Sequence, residues 1–137
     1  MISYIIHPSD IPIECEPEEI PVDDFGTRVC GGLLFRSQSS LVEGSRVRLR
    51  IPFTQPQFEA TCHVHGCTQD ATDQFLVRVH FLREEDLYRI RVVEQACHIE
   101  HYKREMLEKE GRSLSGNEAA YEWINKYAQQ FPRPATQ

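Results

Sequence analysis

The sequence contains no long apolar run, and this absence excludes a membrane-spanning helix. Such a helix needs about 20 consecutive apolar residues, and charged side chains interrupt every stretch of that length. The N-terminus also lacks the positively charged start and the apolar centre of a secretory signal peptide. We therefore expect a cytoplasmic protein that does not insert into a membrane.

Lysine and arginine are absent from the start of the chain, where the first basic residue is Arg28. The chain as a whole carries a net charge of −6. A general nucleic-acid-binding protein needs a surplus of basic side chains to face the phosphates, so we expect no nucleic-acid polymer among the partners. The acids before Arg28 are called the acidic arm; they are either a solvated face or a docking surface for a basic protein partner. The acidic arm comprises Asp10, Glu14, Glu16, Glu18, Glu19, Asp23 and Asp24.

The cysteines do not form the even, regularly spaced set that a small disulfide-linked protein uses. Their odd number and irregular spacing favour reduced thiols in a reducing compartment. Cys62 and Cys97 fall on apolar faces of predicted elements, where cysteine acts as a small core residue. The full set is Cys15, Cys30, Cys62, Cys67 and Cys97.

Motifs of hydrolytic and phosphate-transferring enzymes are also missing. The sequence has no nucleophile elbow, no glycine-rich phosphate loop and no paired acids in a recognisable context. We therefore expect a protein that is not an enzyme.

Apolar and polar side chains alternate along several stretches, which predicts half-buried strands. The clearest example is a strand in which arginines alternate with valine, leucine and isoleucine, so that one face is core and the other is a row of guanidinium groups. The last two alternating stretches predict an antiparallel hairpin. The predicted strands lie at about residues 4–6, 11–15, 27–36, 46–51, 58–65 and 75–81.

After Arg83 the apolar period changes to that of a helix. The first helix is predicted to end at Gly111, and a capping box from Ser115 to Glu118 opens a second helix that runs to about Gln130. The predicted apolar faces are Leu87, Ile90, Val92, Val93, Ala96, Cys97, Ile99, Tyr102 and Met106 on the first helix and Ala120, Trp123, Ile124 and Tyr127 on the second.

The chain is long enough for one hydrophobic core and divides into three predicted parts. Residues 1–83 form the strand unit, and residues 84–131 form a helical extension that packs on it or projects from it. Residues 132–137 are a loose tail.

Two segments carry a resemblance to a known family. One is the glycine pair Gly31-Gly32 with the apolar strand after it, a turn and the alternating strand that begins at Arg46; the other is the alternating stretch 75–81. Together they resemble the PilZ domain over roughly residues 5–100. The resemblance implies a mainly β fold, a six-stranded antiparallel β-barrel followed here by two C-terminal α-helices, and a role in bacterial cyclic di-GMP signalling.

PilZ domains hold cyclic di-GMP with an Arg-x-x-x-Arg pair and an Asp/Asn-x-Ser-x-x-Gly segment that ends in the glycine pair. Gly32 matches the final glycine, whereas Thr27 stands in the acidic position and Val29 in the serine position. The arginine pair belongs in or just before residues 7–10, which contain no arginine. Nearby acids repel a dianionic ligand, so the resemblance implies a degenerate PilZ protein that acts through protein partners and binds the dinucleotide weakly or not at all.

The alternative is a functional cyclic di-GMP receptor that uses displaced arginines. Arg28 and Arg36 flank the glycine strand, and planar guanidinium groups bind guanine edges and phosphates well. The competing interpretation is that these arginines are ordinary solvent-side residues of strands. The candidate ligand-binding residues are Arg28, Gly31, Gly32, Arg36 and Arg48.

The segment from Cys62 to Cys67 is a candidate for metal binding. A strand sends Cys62 to one face and both His63 and His65 to the other, so the ligands of this segment do not converge on one ion. His80, on the neighbouring strand, joins the two histidines in a three-histidine patch. A third interpretation is therefore a metal-binding or oligomer-forming protein. No other cofactor is predicted, and cyclic di-GMP is the candidate ligand.

Overall fold

The computed structural model describes residues 3–18, 31–127, 129 and 131. In this part of the chain six strands precede two helices, so the predicted mainly β fold with two C-terminal helices is confirmed. Neither helix combines the length and the apolar character that crossing a membrane requires. The elements are β1 (Ser3–Ile6), β2 (Glu14–Pro17), β3 (Gly31–Ser37), β4 (Arg46–Ile51), β5 (Phe58–Gln69), β6 (Phe75–Phe81), α1 (Glu84–Glu110) and α2 (Gly116–Tyr127).

The strands form one mixed sheet in the order β1-β3-β6-β5-β4-β2. The other pairings are antiparallel, but β1 runs parallel to β3, with Tyr4 beside Gly32. The predicted all-antiparallel arrangement is therefore wrong at β1. The reason is the connection, because the chain between β1 and β3 includes β2 at the opposite edge and is long enough for the crossover that a parallel pair needs.

Hydrogen bonding among the described strands leaves β1 and β2 as the two edges, so the sheet is not closed into the predicted barrel. The pairing of β1 with β3 continues for one residue after β1, where the amide of His7 donates to the carbonyl of Leu34 over 2.8 Å. The long strand β5 has a register shift between Val64 and Gly66. A bulge of this kind bends the strand and increases its twist.

Alternation along the strands places one face of the sheet in the core, as predicted. Helix α1 crosses this face and adds Ile90 and Cys97, both fully buried. Helix α1 therefore packs on the sheet. The sheet residues of this core are Ile5, Leu33, Phe35, Val47, Leu49, Ile51, Phe58, Ala60, Cys62, Val64, Val77, Val79 and Phe81.

The face of α1 that meets the sheet differs from the predicted face. Val92 is 69% exposed, whereas Asp86 and Glu94 are buried. With 3.6 residues per turn, Asp86, Ile90 and Glu94 follow one another on a single face, and Val92 lies away from it. A buried carboxylate is costly unless it is hydrogen-bonded, so Glu94 requires a partner from another element.

The predicted helix ends are confirmed at two positions. The amide of Glu118 donates to Ser115 Oγ over 3.1 Å, and the amide of Ser115 donates to Glu118 Oε1 over 2.9 Å, which is the reciprocal capping box. Gly111 ends α1 in the left-handed conformation at φ 67°, which glycine adopts without strain. The predicted end of the second helix at Gln130 lies outside the described residues.

Helix α2 packs against the C-terminal half of α1 in a second, smaller cluster. Ile124 and Tyr127 are 53% and 44% exposed, so their prediction as core residues is wrong. Ala119, one turn before Trp123, occupies the buried face instead. The cluster contains Tyr102, Met106, Leu114, Ala119 and Trp123.

The described cysteines are all free thiols, and Cys30 lies outside the described residues. Burial raises the pKa of the Cys15 thiol to about 12 and raises the pKa of Cys62 well above its ordinary value. The thiolate is the reactive form of cysteine, so these two side chains act in the fold as packed apolar groups.

Candidate functional site

The face of the sheet beside Gly32 is covered by side chains of this chain. Gly32 lies between Tyr4 of β1 and His80 of β6. A Cβ atom on Gly32 would lie 2.1 Å from the carbonyl oxygen of Val79, 3.0 Å from the Tyr4 ring and 3.2 Å from the His80 ring. The glycine is therefore required by the close packing of neighbouring strands and of these two rings.

Tyr4, His80 and His65 form an aromatic stack on this face. The Tyr4 hydroxyl forms a hydrogen bond with His80 Nε2 over 2.7 Å, and the ring centroids of these residues are 5.6 Å apart. The ring of His65 lies 4.4 Å from that of His80. His80 lies on the polar side of the alternating strand β6, yet it is only 5% exposed. The stack encloses it.

His80 is held neutral by this environment. Burial, together with the charges of the neighbouring His65, His63 and Arg78, lowers the pKa of His80 to about 4. Neutral imidazole has one donor and one acceptor nitrogen, and the Tyr4 hydroxyl bonds Nε2 in either tautomer. The Tyr4 and His80 rings are therefore a packed cover for Gly32.

The three histidines predicted as a metal patch lie together but stack. The His65 and His80 rings are inclined by 25°, and His63 lies 6.4 Å from His80 with an inclination of 34°. Nitrogen lone pairs lie in the plane of an imidazole ring, so near-parallel rings present their faces to one another. Among the described residues, the ligand-type side chains whose donor atoms all lie within 4.8 Å of one another are instead His7, Glu94 and Cys97.

The candidate arginines are engaged with acids of the same chain. Arg36 Nη1 lies 2.5 Å from Asp70 Oδ2, and Arg48 Nε lies 3.5 Å from Glu59 Oε1. Arg28 lies outside the described residues. Arg48 does not lie beside Gly31 and Arg36, because the two strands β6 and β5 separate β4 from β3.

Part of the acidic arm lies along the arginine row of β4. The register pairs Glu14 with Arg50 and Glu16 with Arg48, and Glu16 forms an ion pair with Arg50. Glu18 continues this contact by accepting a hydrogen bond from the Thr61 hydroxyl over 2.6 Å. The sequence presents an acidic surface and a basic surface, and the fold sets them against each other.

An open cleft of about 780 Å³ lies between residues 9–13, which lead into β2, and the end of β3. Arg36 lines this cleft together with Ser9 and Gln74. Ligand pockets in proteins commonly have volumes of about 300–1,000 Å³. The cleft is therefore large enough for a small polar ligand, and Arg36 supplies a cationic donor at its wall.

The most enclosed polar cluster of the described residues joins the loop after β1 to α1. His7 Nδ1 lies 2.6 Å from Glu94 Oε2, and His7 Nε2 lies 2.8 Å from the carbonyl oxygen of Ile11. A carbonyl only accepts, so His7 Nε2 carries a proton and donates it to Ile11. The contact between His7 and Glu94 then holds one further shared proton. Cys97 lies beside the pair, and all three side chains are buried.

The pKa values of this pair follow from burial and mutual attraction. Burial by itself lowers the pKa of His7, but the hydrogen bond and the charge of Glu94 outweigh it and raise the pKa above its ordinary value. Burial raises the pKa of Glu94, and the hydrogen bond from His7 opposes that rise. Neither residue stands out in the sequence as a site residue. The available signal was Glu94 itself, which follows Ile90 by one turn on the buried face of a helix.

An apolar groove of about 270 Å³ lies between the C-terminal half of α1 and α2. Tyr102 and Trp123 at its base are 3% and 5% exposed, so they pack the helices together. The Tyr102 hydroxyl donates to Glu122 Oε1 over 2.7 Å. His98 and Phe131 also line the groove.

Comparisons of the chain with family models, with curated proteins and with solved structures give no significant match. The resemblance to the PilZ domain therefore depends on the glycine pair and the alternating strands alone, and it stays a prediction.

Proposed function

We propose that this protein is a non-catalytic bacterial signalling module of the PilZ type, linked to cyclic di-GMP signalling by resemblance. The module acts in the cytoplasm through protein partners and binds the dinucleotide weakly or not at all. The observation that carries the proposal is the cover on Gly32. The Tyr4 and His80 rings lie within 3.0 Å and 3.2 Å of the position that a Cβ atom would take, on the strand where the resemblance places the ligand.

The charges of the protein support this proposal. A dianionic dinucleotide would have to draw Arg36 away from Asp70 or Arg48 away from Glu59, and each exchange replaces one anionic partner with another. The net charge of −6 adds a long-range repulsion that salt screens only in part.

The proposal includes an open form of the PilZ-type barrel, with its seam between the edge strands β1 and β2. The bulge in β5 curves the sheet, and the cleft beside residues 9–13 lies at the approach to β2, one of the two edge strands. A PilZ-type module with an open seam accommodates both features.

The helices are the favoured surface for a protein partner. Tyr88 and Val92, one turn apart on α1, are 65% and 69% exposed. Aromatic side chains are enriched at protein interfaces and charged acids are depleted at their centres. The acidic arm and the arginine row offer less, because Glu16 and Arg50 already pair with each other.

Titration of the full-length protein with cyclic di-GMP, followed by calorimetry and by amide chemical shifts, tests the proposal. We expect no micromolar binding for the wild-type protein. We also expect Tyr4→Ala, which removes the cover, to bind more tightly than the matched variant Tyr88→Ala, which removes an exposed tyrosine elsewhere. Micromolar binding by the wild-type protein with shifts centred on Gly31 and Gly32 would contradict it.

The second candidate function is a cyclic di-GMP receptor that uses Arg28 and Arg36, and the position of Arg36 on the wall of the cleft favours it. This function predicts micromolar binding that Arg36→Ala abolishes. Arg83→Ala is the matched control, because Arg83 is an exposed arginine paired with Glu85 away from the cleft. Binding that survives Arg36→Ala and Arg28→Ala would eliminate this candidate.

A further inference from the structure

The buried cluster of His7, Glu94 and Cys97 has the composition of a transition-metal site. It offers one imidazole nitrogen, one carboxylate and one thiol, whose donor atoms all lie within 4.8 Å of one another. These are the ligand types that zinc takes in proteins. They come from two separate elements, the loop after β1 and the buried face of α1, so only the folded chain assembles them.

A second observation supports cation binding at this cluster. Glu94 is fully buried, and its Oε1 atom has no hydrogen-bond partner among the described residues. Such an orphaned carboxylate oxygen is rare in a core, because the group loses its hydration without compensation. His98 Nε2 lies 3.8 Å away and is engaged with the carbonyl oxygen of Ile6 over 2.7 Å. A bound cation would satisfy this oxygen.

The orientation of His7 fits a metal ligand. Histidines that bind metals almost always give their other ring N–H to a carbonyl, a carboxylate or water, which fixes the ring. His7 Nε2 donates to the carbonyl oxygen of Ile11 over 2.8 Å, so Nδ1 is aimed at Glu94.

We propose that His7 Nδ1, Glu94 and Cys97 bind a divalent cation of the zinc class, which ties the loop after β1 to α1. Binding releases the thiol proton of Cys97 and the proton shared by His7 and Glu94, since metal ligands must be deprotonated. The two anionic ligands then balance the charge of the cation, so the occupied site is neutral inside the core. This site is independent of the proposed signalling function.

Cobalt(II) is the probe for this site, because it replaces zinc and has visible absorption. The full-length protein, stripped with chelator and refolded in reducing buffer with Co²⁺, should bind one equivalent. It should show tetrahedral d–d bands and a thiolate-to-cobalt charge-transfer band, and added Zn²⁺ should bleach both. A wild-type protein that shows no thiolate band overturns the proposal.

Variants assign the ligands. Cys97→Ser should abolish the charge-transfer band, whereas Cys62→Ser, which changes an equally buried cysteine on β5, should keep it. A band that persists in Cys97→Ser, or that a His63→Ala and His65→Ala pair removes, places the metal elsewhere and overturns the assignment.

Glu94→Gln keeps the shape of the side chain and provides a test that does not depend on the folding of a cysteine variant. Loss of a residue that only hydrogen-bonds a metal ligand costs about 10–100-fold in metal affinity, so a change to a side chain that touches the metal should weaken Co²⁺ binding at least as much. Unchanged affinity in Glu94→Gln, measured on protein with wild-type circular dichroism, overturns the role of Glu94.

Discussion

His7 and His80 are equally buried, at 5% exposure each, yet their surroundings move their pKa values in opposite directions. Burial by itself disfavours the charged form of both. His7 faces the carboxylate of Glu94, which outweighs burial, whereas His80 faces two other histidines and Arg78, which add to it. The comparison shows that the neighbouring charges, and not the extent of burial, decide whether the pKa of a buried histidine rises or falls.

The two histidines also do different work in the fold. His7 joins the loop after β1 to α1 inside the core. His80 lies on the opposite face of the sheet, where it holds Tyr4 over Gly32. The first contact ties two layers of the protein together, and the second occupies the surface where the resemblance places a ligand.

Breaking the first contact should have the largest effect. His7→Ala leaves Glu94 buried without its hydrogen-bond partner, and removal of one member of a buried pair costs about 3–5 kcal/mol. Urea unfolding in the presence of chelator measures the loss. The double variant His7→Leu with Glu94→Leu should recover most of it, because apolar side chains need no partner. A single variant as stable as the wild-type protein would show that the pair is not coupled to folding.

Gly32→Ala tests the packing under His80. The added methyl group would lie 2.1 Å from the carbonyl oxygen of Val79, so β3 must move away from β6. Over-packing of this kind costs about 1–3 kcal/mol. Gly116→Ala is the matched control, since nothing lies within 4 Å of its Cβ position. Thermal unfolding of both variants is the measurement, and equal melting temperatures would refute the close contact.

Acid should weaken the second contact through His80. Its pKa in the folded protein, about 4, is below the ordinary value of 6.5, so the unfolded chain takes up a proton first and stability falls as the pH drops from 6.5 towards 4. Because the neighbouring His65 is exposed, solvent screens part of the effect, and we expect a loss of about 1 kcal/mol between about pH 7 and pH 5. His80→Gln should remove this component when its pH profile is compared with that of the wild-type protein. Identical profiles would contradict the shift.

The smallest effect is expected where an ion pair is exposed. Arg36→Ala removes the contact with Asp70, but exposed pairs contribute little to stability. Asp70 keeps its hydrogen bonds from Thr72 and from the amide of Gln74. Urea unfolding should therefore give a free energy close to that of the wild-type protein. A large loss of stability would show that Arg36 is structural and would remove it as a ligand candidate.

Local patterns in the sequence predicted much of the fold. Alternation along β4, β5 and β6 predicted the core face of the sheet because successive side chains of a strand point to opposite sides. Ser115 and Gly111 predicted helix ends because the signals act within one turn. The parallel pairing of β1 with β3 and the open edges carry no comparable local signal, because they depend on where a distant segment returns.

The candidate site divides in the same way. Gly32, Arg36 and the three histidines stand out in the sequence because their residue types are unusual in their local pattern. Tyr4, His7 and Glu94 do not stand out in this way. Tyr4 contacts His80 across 76 positions of the chain, and His7 contacts Glu94 across 87. The sequence determined which side chains are available and which face of each strand is apolar. Only the tertiary structure decided which acids pair with which arginines and which buried histidine has a raised pKa. The reason is that electrostatic and hydrogen-bond energies depend on short distances between residues that are far apart in the chain.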